Sequence, residues 1–279
     1  MKPIATLGPQ GTFSDLATNR FIDTSGQPYE VRYYDSIKKV LKAVGPYCPL
    51  GVIPIENFSE GFIPIVLDTL ASRTLSIVDE ISLPIEFSFV SRARHLHEIQ
   101  KVFVQFAAKG QCEEFLSGLK EVQEVMTQSN IESLAVLRGE PTTSGAIVPS
   151  HAAHRQDFPL VIEHVHDFEH NQTRFAVISS EPPTEIWNRP HAAYKTSLVV
   201  FGERDYPGLL AGVLTSFSSR TINITSLVSR PNRAKFGQYN FFIDIAGHAE
   251  DPLITTALGE IDAQCSLKVL GSYPVARLK

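Results

Sequence analysis

Between residues 3 and 57 the chain alternates short apolar runs with amphipathic ones, and that alternation constrains the fold more than any bulk property. PIATLG (3–8) reads as a strand entering a turn. PQGTFSDLATNRF then starts a helix, with Gly11 in the turn, Thr12 or Ser14 as cap, and Leu16 and Phe21 on the apolar stripe. VRYYDS is strand-like, SIKKVLKAV is an amphipathic helix, and GVIPIEN is a buried strand. A β-α-β-α-β order predicts a parallel sheet with ligands at the carboxyl ends of its strands.

The same rhythm continues. ISLPIEFSFVSR (81–92) reads as one long strand, KVFVQF as another, and KGQCEEFLSGL as a helix after it. EVQEVMTQS, NIESLAVLRG and TSGAIVPSHAAH read as strand, helix, then strand with a helix start, and TRFAVISS (173–180) as one more strand. Two α/β lobes around a cleft is the predicted picture: lobe one at about 1–80 and 165–182, lobe two at about 81–164. A Pro-rich polar stretch supplies a linker at 183–194. Residues 195–279 then read βαββαβ, the ferredoxin-like order, which by itself specifies no function.

At 279 residues the chain is long enough for about two domains, and 43% hydrophobic content is enough for a real core. A net charge of −5 without a basic block argues against nucleic acid or an anionic membrane as partner. No run of 18 or more apolar residues predicts a transmembrane helix, and the start MKPIATLGPQGTF lacks the apolar core of a secretory signal. Cys48, Cys112 and Cys265 are scattered, with no CxxC, which fits a reduced cytoplasm. His151 and His154, and His166 and His170, have helical metal-ligand spacing but no accompanying HExxH. Neither a metal nor a cofactor is expected.

Four stretches carry a resemblance: GPQGTFSDLA (8–17), GVIPIENFSEG (51–61), NQTRFAVI (171–178), and DYPGLLAGVL together with TSLVSRP in the tail. In this order, over nearly the whole chain, they resemble prephenate dehydratase with a C-terminal ACT domain, a small-molecule sensor. The resemblance implies a two-lobed catalytic domain like that of periplasmic binding proteins, plus the ferredoxin-like ACT domain. It implies a cytoplasmic carbon–oxygen lyase of phenylalanine biosynthesis that converts prephenate to phenylpyruvate, with phenylalanine as a candidate regulator and a homodimer or homotetramer as the assembly.

Such chemistry must hold a dianion, assist a leaving hydroxyl and keep the departing carboxylate dry. The resemblance assigns Thr173 to the leaving hydroxyl, as a hydrogen-bond donor. The resemblance carries Arg174 and Phe175 over as substrate-binding residues too: Arg174, one residue along the strand and so on the opposite face, reaches a carboxylate only if the strand end twists, whereas Phe175 returns to the face of Thr173 and can dry the site. Gly11, Thr12, Phe13 and Ser14 form a second anion-binding turn at a helix start. Asn57 can donate to substrate, Glu56 can orient it, Gln111 matches a family glutamine, and Ser129 is a ligand donor or a helix cap.

The chain also departs from the family pattern. Phe58 and Phe62 stand where serines are usual, and Val104-Gln105-Phe106-Ala107 replaces Ser-His-Pro-Gln. Polar donors are thereby lost and a more apolar cleft is expected. The effector residues carried over are Gly208, Leu209, Leu210, Asn223, Ser229 and Arg230, with Val228 in place of a family glutamate. Two other readings stay open: a divergent homologue acting on another small carboxyl or acyl compound, and a non-catalytic metabolite-binding regulator.

Overall fold

The structure, a computed structural model, describes residues 1–154, 156–181, 193–202, 206–232, 235 and 237–276. The linker expected at 183–194 falls mostly outside the described residues.

The first half of the chain lays down β1 (Lys2–Leu7), α1 (Phe13–Ser25), β2 (Tyr29–Tyr34), α2 (Ile37–Ala43), β3 (Leu50–Asn57), the short β4 (Gly61–Phe62), α3 (Pro64–Ser72) and β5 (Ser76–Pro84). The chain then builds β6 (Phe87–Ser91), β7 (Lys101–Gln105), α4 (Phe106–Gly110), α5 (Glu113–Gly118), β8 (Gln123–Thr127), α6 (Asn130–Leu137), β9 (Ser144–Pro149) and β10 (Leu160–Ile162), and returns along β11 (Gln172–Ser179). The tail is β12 (Tyr194–Val200), α7 (Leu209–Ser218), β13 (Ile224–Pro231), β14 (Tyr239–Ala246), α8 (Pro252–Gln264) and β15 (Leu267–Pro274).

Three sheets result, ordered β2-β1-β3-β11-β5 with β4 on β3, β10-β6-β9-β7-β8, and β13-β14-β12-β15. The first two are the lobes and the third is the ferredoxin-like sheet. The first sheet is parallel over β2-β1-β3, as the alternation predicts, but β11 runs antiparallel to both β3 and β5. The cause is connectivity: β5 leaves toward lobe two, and β11 comes back between β3 and β5. The long strand expected over 81–92 is two strands in different sheets. Pro84 ends β5, because it has no N–H for a further ladder bond, and the Ile85 N–H donates to the Asn171 carbonyl at the crossover. The single helix expected over 109–119 is broken into α4 and α5 at Gln111-Cys112.

Alternation along β11 divides lobe one into two cores. Phe175 and Val177 pack with Ile4, Phe21 and Val52 beneath α1. Ala176 and Ile178 face the other way, in a core that contains Leu41, Leu70 and Ile77 and also Val199, Phe242, Leu270 and Tyr273 of the tail. The C-terminal sheet thus buries one face against lobe one and the other, through Leu198, Val200 and Ile243, against its own helices. No helix among the described residues is long and apolar enough to cross a membrane.

Candidate functional site

Asn57 ends β3 and Thr173 lies near the start of β11, so the two are direct neighbours across the sheet. A register shift in the β3–β11 pairing next to Glu56 turns this end of β3 relative to the rest of the strand. Asn57 donates from Nδ2 to Thr173 Oγ1 at 2.9 Å and to the Gln172 carbonyl at 3.3 Å. Its Oδ1 accepts from the Ser59 N–H (3.0 Å), the Ser59 hydroxyl (2.7 Å) and the Glu60 N–H (3.2 Å). Three donors on one oxygen fix which way the amide points. The Thr173 oxygen therefore accepts from Asn57, and its own proton is left to be donated elsewhere. Both side chains are buried.

From the same turn, Glu60 reaches lobe two. Gln111 donates from Nε2 to Glu60 Oε1 at 3.0 Å and accepts from Asn171 Nδ2 at 2.7 Å. Asn171 is buried and its Oδ1 has no hydrogen-bond partner. A pocket of about 330 Å³ lies beside this line, bordered by Glu60, Gln111, Lys109, Phe106 and Phe168. Lys109 is ion-paired with Glu124. Gln105 caps α4 by accepting from the Ala107 and Ala108 N–H groups.

The turn before α1 is the second contact between the lobes. Gly11 has φ +88, a conformation that favours glycine, and its N–H donates to Asp15 Oδ2 at 2.8 Å. Thr12 caps α1 by accepting from the Asp15 N–H, and Ser14 is buried behind it. Asp15 also accepts from the Tyr33 hydroxyl at 2.7 Å; burial first, and then this carboxylate, pushes the Tyr33 phenol above its usual range. Phe13 packs edge-on against Phe87 and His151, and His151 Nε2 lies 2.9 Å from the Gly11 carbonyl. Ser129 is the N-cap of α6, accepting from the Glu132 N–H.

Arg174 is on the face opposite Thr173, ion-paired with Glu56, Glu80 and Asp244. Burial works against its charge, but the Asp244 carboxylate, with Tyr273, Glu80 and Glu56 behind it, outweighs burial and holds the guanidinium firmly protonated. Phe62 lies against Arg174, with 5.4 Å from guanidinium to ring centre, and Phe58 is exposed. Neither phenylalanine borders the pocket beside Gln111. Phe175 is buried in the lobe-one core, so neither it nor Arg174 takes the substrate-binding place expected of it: the one packs beneath α1 and the other is held by three carboxylates on the far face.

In the tail, Gly208 is the N-cap of α7, Leu209 is buried, and Asn223 and Ser229 are exposed. Arg230 makes a two-pronged ion pair with Asp68 of α3. The histidine pair His166 and His170 lies outside any helix, so its spacing creates no shared face, and among the described residues no group of His, Cys, Asp and Glu is placed to hold a metal. Asn171 and Glu60, which join β11 and the turn after β3 to lobe two, lie inside the quoted stretches NQTRFAVI and GVIPIENFSEG without standing out there as site residues. Only their three-dimensional partners give them a role.

A two-lobed α/β domain with an amide–threonine pair at the lobe junction, fastened to a ferredoxin-like domain, is the class these elements define. A family model for prephenate dehydratase matches residues 4–183. The bifunctional chorismate mutase/prephenate dehydratase of Aquifex aeolicus is 32% identical, over 99% of this chain and 74% of its own length. The prephenate dehydratase of Methanocaldococcus jannaschii is 29% identical over 96% of each chain. The crystal structure of prephenate dehydratase in complex with L-Phe from Arthrobacter aurescens matches at a TM-score of 0.83 and 28% identity, covering 98% of this chain and 90% of that one. The chain belongs to the prephenate dehydratase family.

Proposed function

We propose that this protein is a prephenate dehydratase that converts prephenate to phenylpyruvate, carbon dioxide and water, with Thr173 as the donor to the departing hydroxyl. The observation that carries the residue assignment is the Asn57-to-Thr173 hydrogen bond, which engages the threonine oxygen and frees its proton. In the reaction the bond from the ring to its carboxylate breaks, and that electron pair moves into the ring. The opposite C–O bond breaks, and the departing oxygen leaves as water. An aliphatic hydroxyl is too weak an acid to give up its proton outright. Thr173 therefore stabilises the charge on the leaving oxygen by a hydrogen bond, an effect worth about 10²–10⁴-fold, and the proton is made up from solvent.

Gln111, Glu60 and Asn171 hold the two lobes in the spacing this requires. Phe106 and Phe168 give the pocket beside Gln111 an apolar wall. Purified protein incubated with prephenate should produce phenylpyruvate, read as its absorbance in alkali. No product over a no-protein control would overturn this reading.

The C-terminal domain takes an amino-acid effector in this account, with phenylalanine the first to test, at Gly208, Leu209, Leu210, Asn223 and Ser229. Arg230 joins them only if Asp68 releases it. In this account the protein assembles as a homodimer or homotetramer, with β13, an edge strand on which Leu227 is exposed, as the seam. Three buried free cysteines agree with a cytoplasmic setting.

A further inference from the structure

Thr173 and Arg174 are consecutive on β11 and so project to opposite faces. Thr173 meets Asn57, whereas Arg174 reaches the C-terminal domain. It donates from Nη1 to Asp244 of that domain at 2.9 Å, and within lobe one from Nε to Glu56 at 3.0 Å and from Nη1 to Glu80 at 3.3 Å. Lys195 of β12 donates to both oxygens of Glu80 at 3.1 and 3.0 Å, and the Ala276 N–H adds a third bond at 3.0 Å. The second oxygen of Asp244 accepts from the Ser197 hydroxyl, which also contacts the buried Tyr273 hydroxyl.

Two cations and three carboxylates thus meet where little water reaches; the Arg174, Glu80 and Asp244 side chains are 13%, 3% and 10% exposed. Buried ion networks add little net stability, because desolvation cancels most of the attraction. Geometry is what this one fixes. Its members come from β3, β5, β11, β12 and β14, and all the bonds close together in only one placement of the C-terminal sheet on lobe one.

We propose that Arg174 is a positioning residue through which the C-terminal domain sets the place of the Thr173 hydroxyl. Asp244 and Glu80 hold Arg174, Arg174 holds the start of β11, and Thr173 is delivered to Asn57 and the cleft when the two domains are in register. A ligand that shifts β14 against β5 then changes turnover without touching the cleft. The proposal rests on the reading of Thr173 as donor to the leaving oxygen.

The test is the steady-state kinetics of Asp244→Asn, which keeps the side chain's size but can present an N–H₂ to the guanidinium. Misplacing a catalytic group by about 1 Å costs on the order of 10²-fold. The expected result is a fall in kcat of about 10- to 100-fold with KM within about twofold, in protein folded by circular dichroism. A merely structural contact would lower Tm and leave the kcat of the folded protein unchanged, and that result overturns the proposal. The double variant Arg174→Met/Asp244→Leu should turn over no more slowly than Arg174→Met alone; additive losses overturn it too. If Asp244→Asn does not fold, Lys195→Gln replaces it, with a kcat loss of about fivefold expected and wild-type kcat as the contrary result. No turnover by the unmodified protein overturns the reading of the cleft and this proposal with it, whereas an Asp244→Asn kcat equal to that of the unmodified protein overturns this proposal alone.

Discussion

Asn57 commits both ends of its amide inside the protein, Oδ1 to the donors of its own turn and Nδ2 to Thr173 and Gln172. Under the proposed function it positions a donor rather than meeting the substrate itself. Asn57→Asp should keep the turn, since a carboxylate still accepts those bonds, but it should draw the threonine proton toward itself. A fall in kcat of about 10²-fold or more is expected from kinetics, with a lower Tm by calorimetry because the new carboxylate oxygen faces the Gln172 carbonyl. A second residue-scale expectation concerns Cys112. Burial first, and then the Asp167 charge, pushes this thiol up to about 12 from 9.0. Its folded value is raised, so the stability it contributes is full below about pH 9 and is lost as pH rises toward 12. Urea midpoints of Cys112→Ala should therefore fall less steeply than those of the unmodified protein over that window. Legibility at this scale was mixed. PIENFSEG and NQTRF pointed to the residues that meet. The face on which Phe62 lies depends on the turn of β3 and on a neighbouring domain, so Phe62 read as a cleft residue although it packs against Arg174.

Periodicity carried most of the elements. The alternation that places Arg174 opposite Thr173 was readable from strand geometry alone, as was the βαββαβ order of the tail. What it could not supply was the direction of β11 or the break at Pro84, because both depend on which sheet receives the strand. Caps were legible as types. Ser129 caps α6, and Ser129→Ala should cost about 1 kcal/mol in a denaturation experiment. β15 shows the contrary case: Gly271 has φ +154, and a Cβ there would lie 2.0 Å from the Ile77 carbonyl oxygen of β5. Gly271→Ala should therefore lose about 3 kcal/mol or more by calorimetry, from backbone strain and from forcing the C-terminal sheet off lobe one.

At the scale of the whole molecule, the C-terminal domain is fastened rather than tethered. It shares an apolar core with lobe one, pairs Arg230 with Asp68, and sends Lys268 to the Leu70 and Arg73 carbonyls at the end of α3. Lobe one and the tail should unfold together in one calorimetric transition, and a chain ending at residue 181 should expose Leu70 and Ile77 and aggregate. The central claim places the hydroxyl of Thr173 at the oxygen that leaves the substrate. Its most direct test is the kcat for prephenate of Thr173→Val, which keeps the shape and removes the hydroxyl. The account requires a loss of about 10²–10⁴-fold in folded protein; turnover at the unmodified rate would contradict it.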